Sequence, residues 1–116
     1  MIVSMMKQRH AQEPFEFRPN PQKLLASIRK LAASSDNVSF GKHALDRMDE
    51  RGITTLDALR VLRTGEIEGR IEAGQGLGEW KCKVVERRPR ARAMGVATVV
   101  KQENRIFVKT VEWEDR

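Results

Sequence analysis

An α+β fold, helices first and an antiparallel sheet after them, is what this sequence predicts. Two patterns carry the prediction. Apolar residues recur at helical spacing through three segments between Asn20 and Gly65, and at alternate positions from Glu66 onward. Helices followed by strands fold as an α+β layer pair. Length sets the bound: 116 residues with 40% hydrophobic content suit a single core. Residues 1–18, which mix charge with Pro14 and show no period, are read as a flexible N-terminal arm that Phe15 and Phe17 can pin. Residues 19–116 are read as one domain.

Asn20-Pro21 opens the first helix, since asparagine caps well and proline is tolerated in the first turn. Leu24, Leu25, Ile28, Leu31 and Ala32 form its apolar stripe, and Ser34-Ser35-Asp36-Asn37 ends it. Val38-Ser39-Phe40 is a very short extended segment. The second helix, His43 to Arg51, stops at Gly52, where a left-handed residue is wanted. Ala44, Leu45 and Met48 are expected to seal onto the core, while His43, Arg47 and Arg51 share a neighbouring face. Thr54 caps a third helix and Asp57 answers it in a capping box. Leu56, Leu59 and Leu62 are expected to bury one face of that helix, and Gly65 ends it.

Four strands then form a meander. The first starts at Glu66 with Ile67 and Ile71, and Gly74-Gln75-Gly76-Leu77-Gly78 turns the chain. In the second, Trp80 to Arg87, one face carries Trp80, Cys82 and Val84 and the other Lys81, Lys83 and Val85. Arg88-Pro89-Arg90 turns into a long apolar strand, Ala91 to Lys101. After Gln102-Glu103-Asn104 the last strand runs from Arg105 to Glu114. In it Ile106, Val108 and Thr110 alternate with Arg105, Phe107, Lys109, Val111 and Trp113.

The net charge is +6 and the pI about 10.0, which favours polyanionic partners. Between Trp80 and Ala93 six basic residues face Glu86 alone, a local net of +5. One cysteine excludes an internal disulfide and a cysteine-rich metal site. No apolar run is long enough to cross a bilayer, and the N-terminus lacks the pattern of a signal peptide. A cytoplasmic protein with no membrane partner is expected. With only His10 and His43 no metal site is readable, and no cofactor fingerprint is present; the glycine-rich turn lacks a phosphate-loop context.

The string His43-Ala44-Leu45-Asp46-Arg47-Met48-Asp49-Glu50-Arg51-Gly52-Ile53, with a capped helix, a Thr64-Gly65-Glu66-Ile67 strand entry and a terminal Val108-Lys109-Thr110-Val111-Glu112-Trp113 strand, resembles a bacterial family known as domain of unknown function 4258. The similarity runs from His43 to Trp113. That resemblance implies kinship with RelE- and MqsR-type toxins, small basic ribonucleases of toxin–antitoxin pairs. A RelE-like toxin-type fold follows, with N-terminal helices on a four-stranded antiparallel sheet.

Cutting RNA without a metal needs a base for the 2′-hydroxyl, cations for the phosphorane and an acid for the leaving oxygen. His43, Lys81, Lys83 and Lys109 are the candidates for those roles. Arg47, Arg51, Arg87, Arg88, Arg90, Arg92 and Arg105 are the candidate RNA contacts. Partners would be RNA or the ribosome, and an antitoxin protein. The bland alternatives stand beside these. His43 can serve its helix as a hydrogen-bond donor, and Arg47 and Arg51 can pair with Glu112 or Glu114. The lysines can simply be solvated, and Trp80, Trp113 and Cys82 can belong to the core. Counting alone leaves open whether the lysines share a sheet face, since one bulge reverses the answer. The chain has no tyrosine and no evident acid–base pair, which motivates a second class of function. In it the chain is a non-catalytic basic module docking an acidic protein or structural RNA.

Overall fold

The computed structural model describes residues 18–114, so the expected arm, with Phe15 and Phe17, lies outside the described residues except for Arg18. Three helices, α1 (Pro21–Ala32), α2 (Lys42–Arg51) and α3 (Thr55–Thr64), pack on a sheet of five strands. The strands are β1 (Val38–Phe40), β2 (Glu66–Ala73), β3 (Trp80–Glu86), β4 (Met94–Lys101) and β5 (Arg105–Trp113), in spatial order β1-β5-β4-β3-β2. β2 to β5 are the expected antiparallel meander. The sheet is nonetheless mixed: Val38–Phe40 pairs parallel with Ile106–Val108, so the short extended segment is a fifth strand and not a link.

The caps form as local chemistry dictates. The Asn20 side chain accepts from the Gln22 and Lys23 amides, and Thr54 and Asp57 close a capping box. Gly52 stands at φ 69°, in the left-handed region. Two arginines cross-tie the C-terminal ends of α1 and α3, whose last carbonyls lack intrahelical partners. Arg29 of α1 donates to the Gly65 carbonyl at 2.8 Å, and Arg63 of α3 donates to the Ala32 carbonyl at 2.7 Å. Gly65 must be small as well, because a Cβ there would stand 2.7 Å from the Val85 carbonyl oxygen.

The core lies between the helices and one face of the sheet. Ile28, Leu62 and Ile106 are fully buried, joined by Ala44, Met48, Val84, Val96, Val108 and Val111. Burying each large aliphatic side chain contributes about 1.5–3 kcal/mol. Two expected core residues are instead exposed: Leu45 at 45% and Leu56 at 71%. On α3 the face that meets the sheet and α1 carries Ala58, Leu59, Val61 and Leu62, which leaves Leu56 in the first turn outside it.

Two bulges shape the sheet. Between Glu68 and Glu72, three residues of β2 lie opposite Cys82 alone, with Gly69 at φ 84°. In β5, Thr110 pairs with Ala97 and Val108 with Thr98, so Lys109 is an extra residue. The insertion inverts the alternation beyond it. Val111 becomes fully buried and Trp113 packs against the core, while Thr110 moves to the other face, against the simple alternation read from sequence.

Candidate nucleic-acid interface

The sheet face turned away from the helices answers the question of the lysines. Lys83, Ala97 and Thr110 form one cross-strand row over β3, β4 and β5, and Lys81, Val99 and Phe107 form the next. Lys109, at the bulge, falls between the rows. The three lysines therefore converge. Lys81, Lys83 and Lys109 line one open concavity of about 520 Å³, with Glu68, Glu72 and Arg70 at its β2 side and Ala97 and Thr110 in it. Small side chains in the middle strand leave the space, and long cationic ones surround it. A second concavity continues along the strands between Lys81 and Lys109, with Val99, Phe107 and Lys101 in its lining.

The lysines are not equivalent. Lys83 Nζ stands 3.0 Å from Glu114 Oε2 and 3.8 Å from Glu112 Oε2. Lys81 stands 4.0 Å from Glu72, and Lys101 stands 3.2 Å from Glu79. Lys109 and Arg105 are exposed and form no ion pair among the described residues. The open face is thus uneven: Glu112 and Glu114 hold Lys83 and Glu79 holds Lys101, while Lys109 and Arg105 are the least engaged cations. The Glu79 carboxyl is held below its usual range, first by the Gly76 amide it accepts from and then by Lys101.

The other candidates are placed elsewhere. His43 is exposed and does not line either concavity; its Nε2 accepts from Arg47 Nε at 3.5 Å, so it is an acceptor where a donor was expected. Arg47 also pairs with Glu50 at 3.4 Å. Arg51 donates to the Val111 carbonyl at 2.9 Å, and its own carbonyl accepts from the Trp113 indole. Neither arginine reaches Glu112 or Glu114, because the bulge sends those carboxylates to the open face while α2 lies along β5 on the core side. What Arg51 satisfies is backbone beyond the three-residue β1, whose pairing with β5 ends at Val108.

The arginine run at the β3–β4 turn is largely engaged within the protein. Arg87 forks onto Glu68 with two bonds of 2.8 Å, and that fork holds the Glu68 carboxyl below its usual range. Arg88 reaches Glu86 at 3.5 Å, and the Arg92 guanidinium lies 4.3 Å from the centre of the Trp113 ring. Arg90 is exposed, at φ 65°. Trp80 packs on the core like Trp113, and Cys82 is buried, its thiol pushed up to about 12 by burial, which leaves it no thiolate character.

Sequence reasoning missed Ala97, Thr110 and Phe107. Phe107 alternates with the buried Ile106 and Val108, a signal that already set an aromatic ring on the open side. Thr110 carried no such signal, since only the bulge brings it there. Among the described residues no group of three His, Cys, Asp or Glu side chains is placed to hold a metal, and no helix is long and apolar enough to cross a membrane.

A helix-covered mixed sheet with one open, lysine-bearing face defines a small α+β domain. Residues 40–113 match the family described as Domain of unknown function (DUF4258), and the chain belongs to that family. No curated protein and no solved structure matches it.

Proposed function

We propose that this protein binds RNA across the open face of its sheet, as a toxin-like RNA-binding protein. The observation that carries the reading is the convergence of Lys81, Lys83 and Lys109 on one concavity, with Lys109 free of any ion pair among the described residues. Such ammonium groups take phosphate oxygens as point charges. The molecular charge of +6, and the kinship with RelE- and MqsR-type toxins that the family resemblance implies, support the same reading.

The position of His43 favours binding over cleavage. With the imidazole outside both concavities, the 2′-hydroxyl proton would have to go to Glu68 or Glu72, and Glu68 is already forked by Arg87. The test is a gel-shift and integrity assay with labelled RNA in the presence of a chelator. The expected result is a salt-sensitive shift of intact RNA that weakens in Lys81→Ala/Lys109→Ala. Cleavage abolished by the same double variant would restore the endoribonuclease reading. No shift at low salt would overturn RNA binding and move the acidic-protein reading ahead.

A further inference from the structure

We infer that Phe107 is a stacking platform for an unpaired base, so that the RNA taken by the open face is single-stranded. The inference rests on the RNA reading above and specifies its ligand. Six aromatic residues occur in the chain, four of them within the described residues. Phe40, Trp80 and Trp113 pack against the core; Phe107 alone of the four does not. It lies on the opposite face of the sheet, partly exposed, in the lining of the second concavity.

Its surroundings suit a base. The Cζ edge of the ring lies close to Gly41, where a Cβ would stand 2.7 Å away, so the absence of a side chain at Gly41 gives the ring its place. Beside it in the same row, Val99 is buried and apolar, and Lys81 completes the row at 39% side-chain exposure. Lys81 and Lys109 line both concavities. A phosphate held between them places the neighbouring base over Phe107, with the backbone continuing toward Ala97 and Thr110. An aromatic on a sheet flanked by cations is what unpaired nucleic acid needs, because every base has a π-face and a duplex hides it. The A-form duplex offers phosphates but no free base to the ring.

The deciding comparison uses the full chain and three labelled RNAs of matched phosphate number: a single strand, an abasic strand and a blunt duplex. The single strand is expected to bind about 5- to 150-fold more tightly than either of the others, the size of one stacked base. Phe107→Leu keeps an apolar side chain against Gly41 and is expected to lose about 5- to 150-fold in affinity for the single strand. Its affinity for the abasic strand and its salt slope should not change, since no phosphate contact is removed. Lys81→Ala/Lys109→Ala should do the opposite, weakening both strands and flattening the slope. Equal binding of all three RNAs, or an unchanged Phe107→Leu affinity, overturns the platform and leaves RNA binding standing. Failure of every RNA to bind overturns both. Should Phe107→Leu fail to fold, the wild-type comparison of single and abasic strands still decides.

Discussion

On either side of β3 lies a charged cluster, and the two handle their charges differently. Toward the helices, Glu86 has a side chain only 10% exposed and is held by the Arg60 guanidinium, with both oxygens 3.1 Å from Nε, and by the Thr64 hydroxyl at 3.0 Å. Arg60 in turn reaches Asp57, the capping-box partner of Thr54 at the start of α3. Toward the open face, Lys81, Lys83 and Lys101 keep 37–41% of their side-chain surface, their partners reach out to 4.0 Å, and Lys109 is unpaired among the described residues. The first cluster satisfies itself and locks a helix to a strand. The second leaves Lys109 and Arg105 without an ion pair among the described residues, charge that the proposed RNA would meet. Saturation of partners, rather than the number of charges, distinguishes the two clusters.

Breaking the locked cluster should have the largest effect. Glu86→Gln keeps the shape but leaves Arg60 without its bidentate partner, at a cost of about 2–3 kcal/mol in urea denaturation. RNA affinity should be unaltered. A loss of affinity equal to that of the lysine variants would erase the distinction between the clusters.

Acid probes the same cluster without a substitution. Asp57 is held below its ordinary 3.8, chiefly by the Thr54 amide and with help from Arg60. For Glu86, burial pushes the carboxyl up, but the Arg60 and Thr64 hydrogen bonds outweigh it and hold the group below 4.5. Folded values lower than unfolded ones stabilise the fold fully above the ordinary range, and that stability is lost as pH falls through the folded values. The urea midpoint should therefore hold steady down to about pH 5 and drop below it. In Glu86→Gln the drop should be shallower.

On the open face the sharper contrast lies between two lysines. Lys109→Ala should lower the slope of log K against log salt by about 0.7, the value of one phosphate contact to a single strand. Lys83→Ala should lower it by less, since Glu112 and Glu114 already compete for that ammonium. Both should leave stability within about 0.5 kcal/mol of wild type.

The smallest effect is expected at the rim. Arg87→Ala breaks an exposed fork onto Glu68, and solvent screening of that pair should leave the thermal midpoint nearly unchanged. It also leaves an uncompensated carboxylate beside the concavity, so RNA affinity should fall slightly although no phosphate contact is lost. An increase in affinity would mean that Arg87 had been repelling the ligand or blocking the cleft.

Local chemistry was enough to set much of this molecule. A cap needs only the residues within one turn of it, so Asn20, Thr54 with Asp57, and Gly52 announced the helix ends. Alternation over a few residues announced the meander, and the burial of Cys82 and Val84 against Lys81 and Lys83. What sequence alone left undecided depends on distant partners. The pairing of β1 with β5 joins residues 68 positions apart, Val38 with Ile106, and no neighbour of Val38 encodes it. Lys109 belongs in β5 by composition, and only its pairing with β4 makes it an extra residue. That one insertion turned Thr110, Glu112 and Glu114 to the open face, gave Lys83 its carboxylates and denied them to Arg51. Side-chain parity is a property of two strands in register, so the site became visible only when the sheet was assembled.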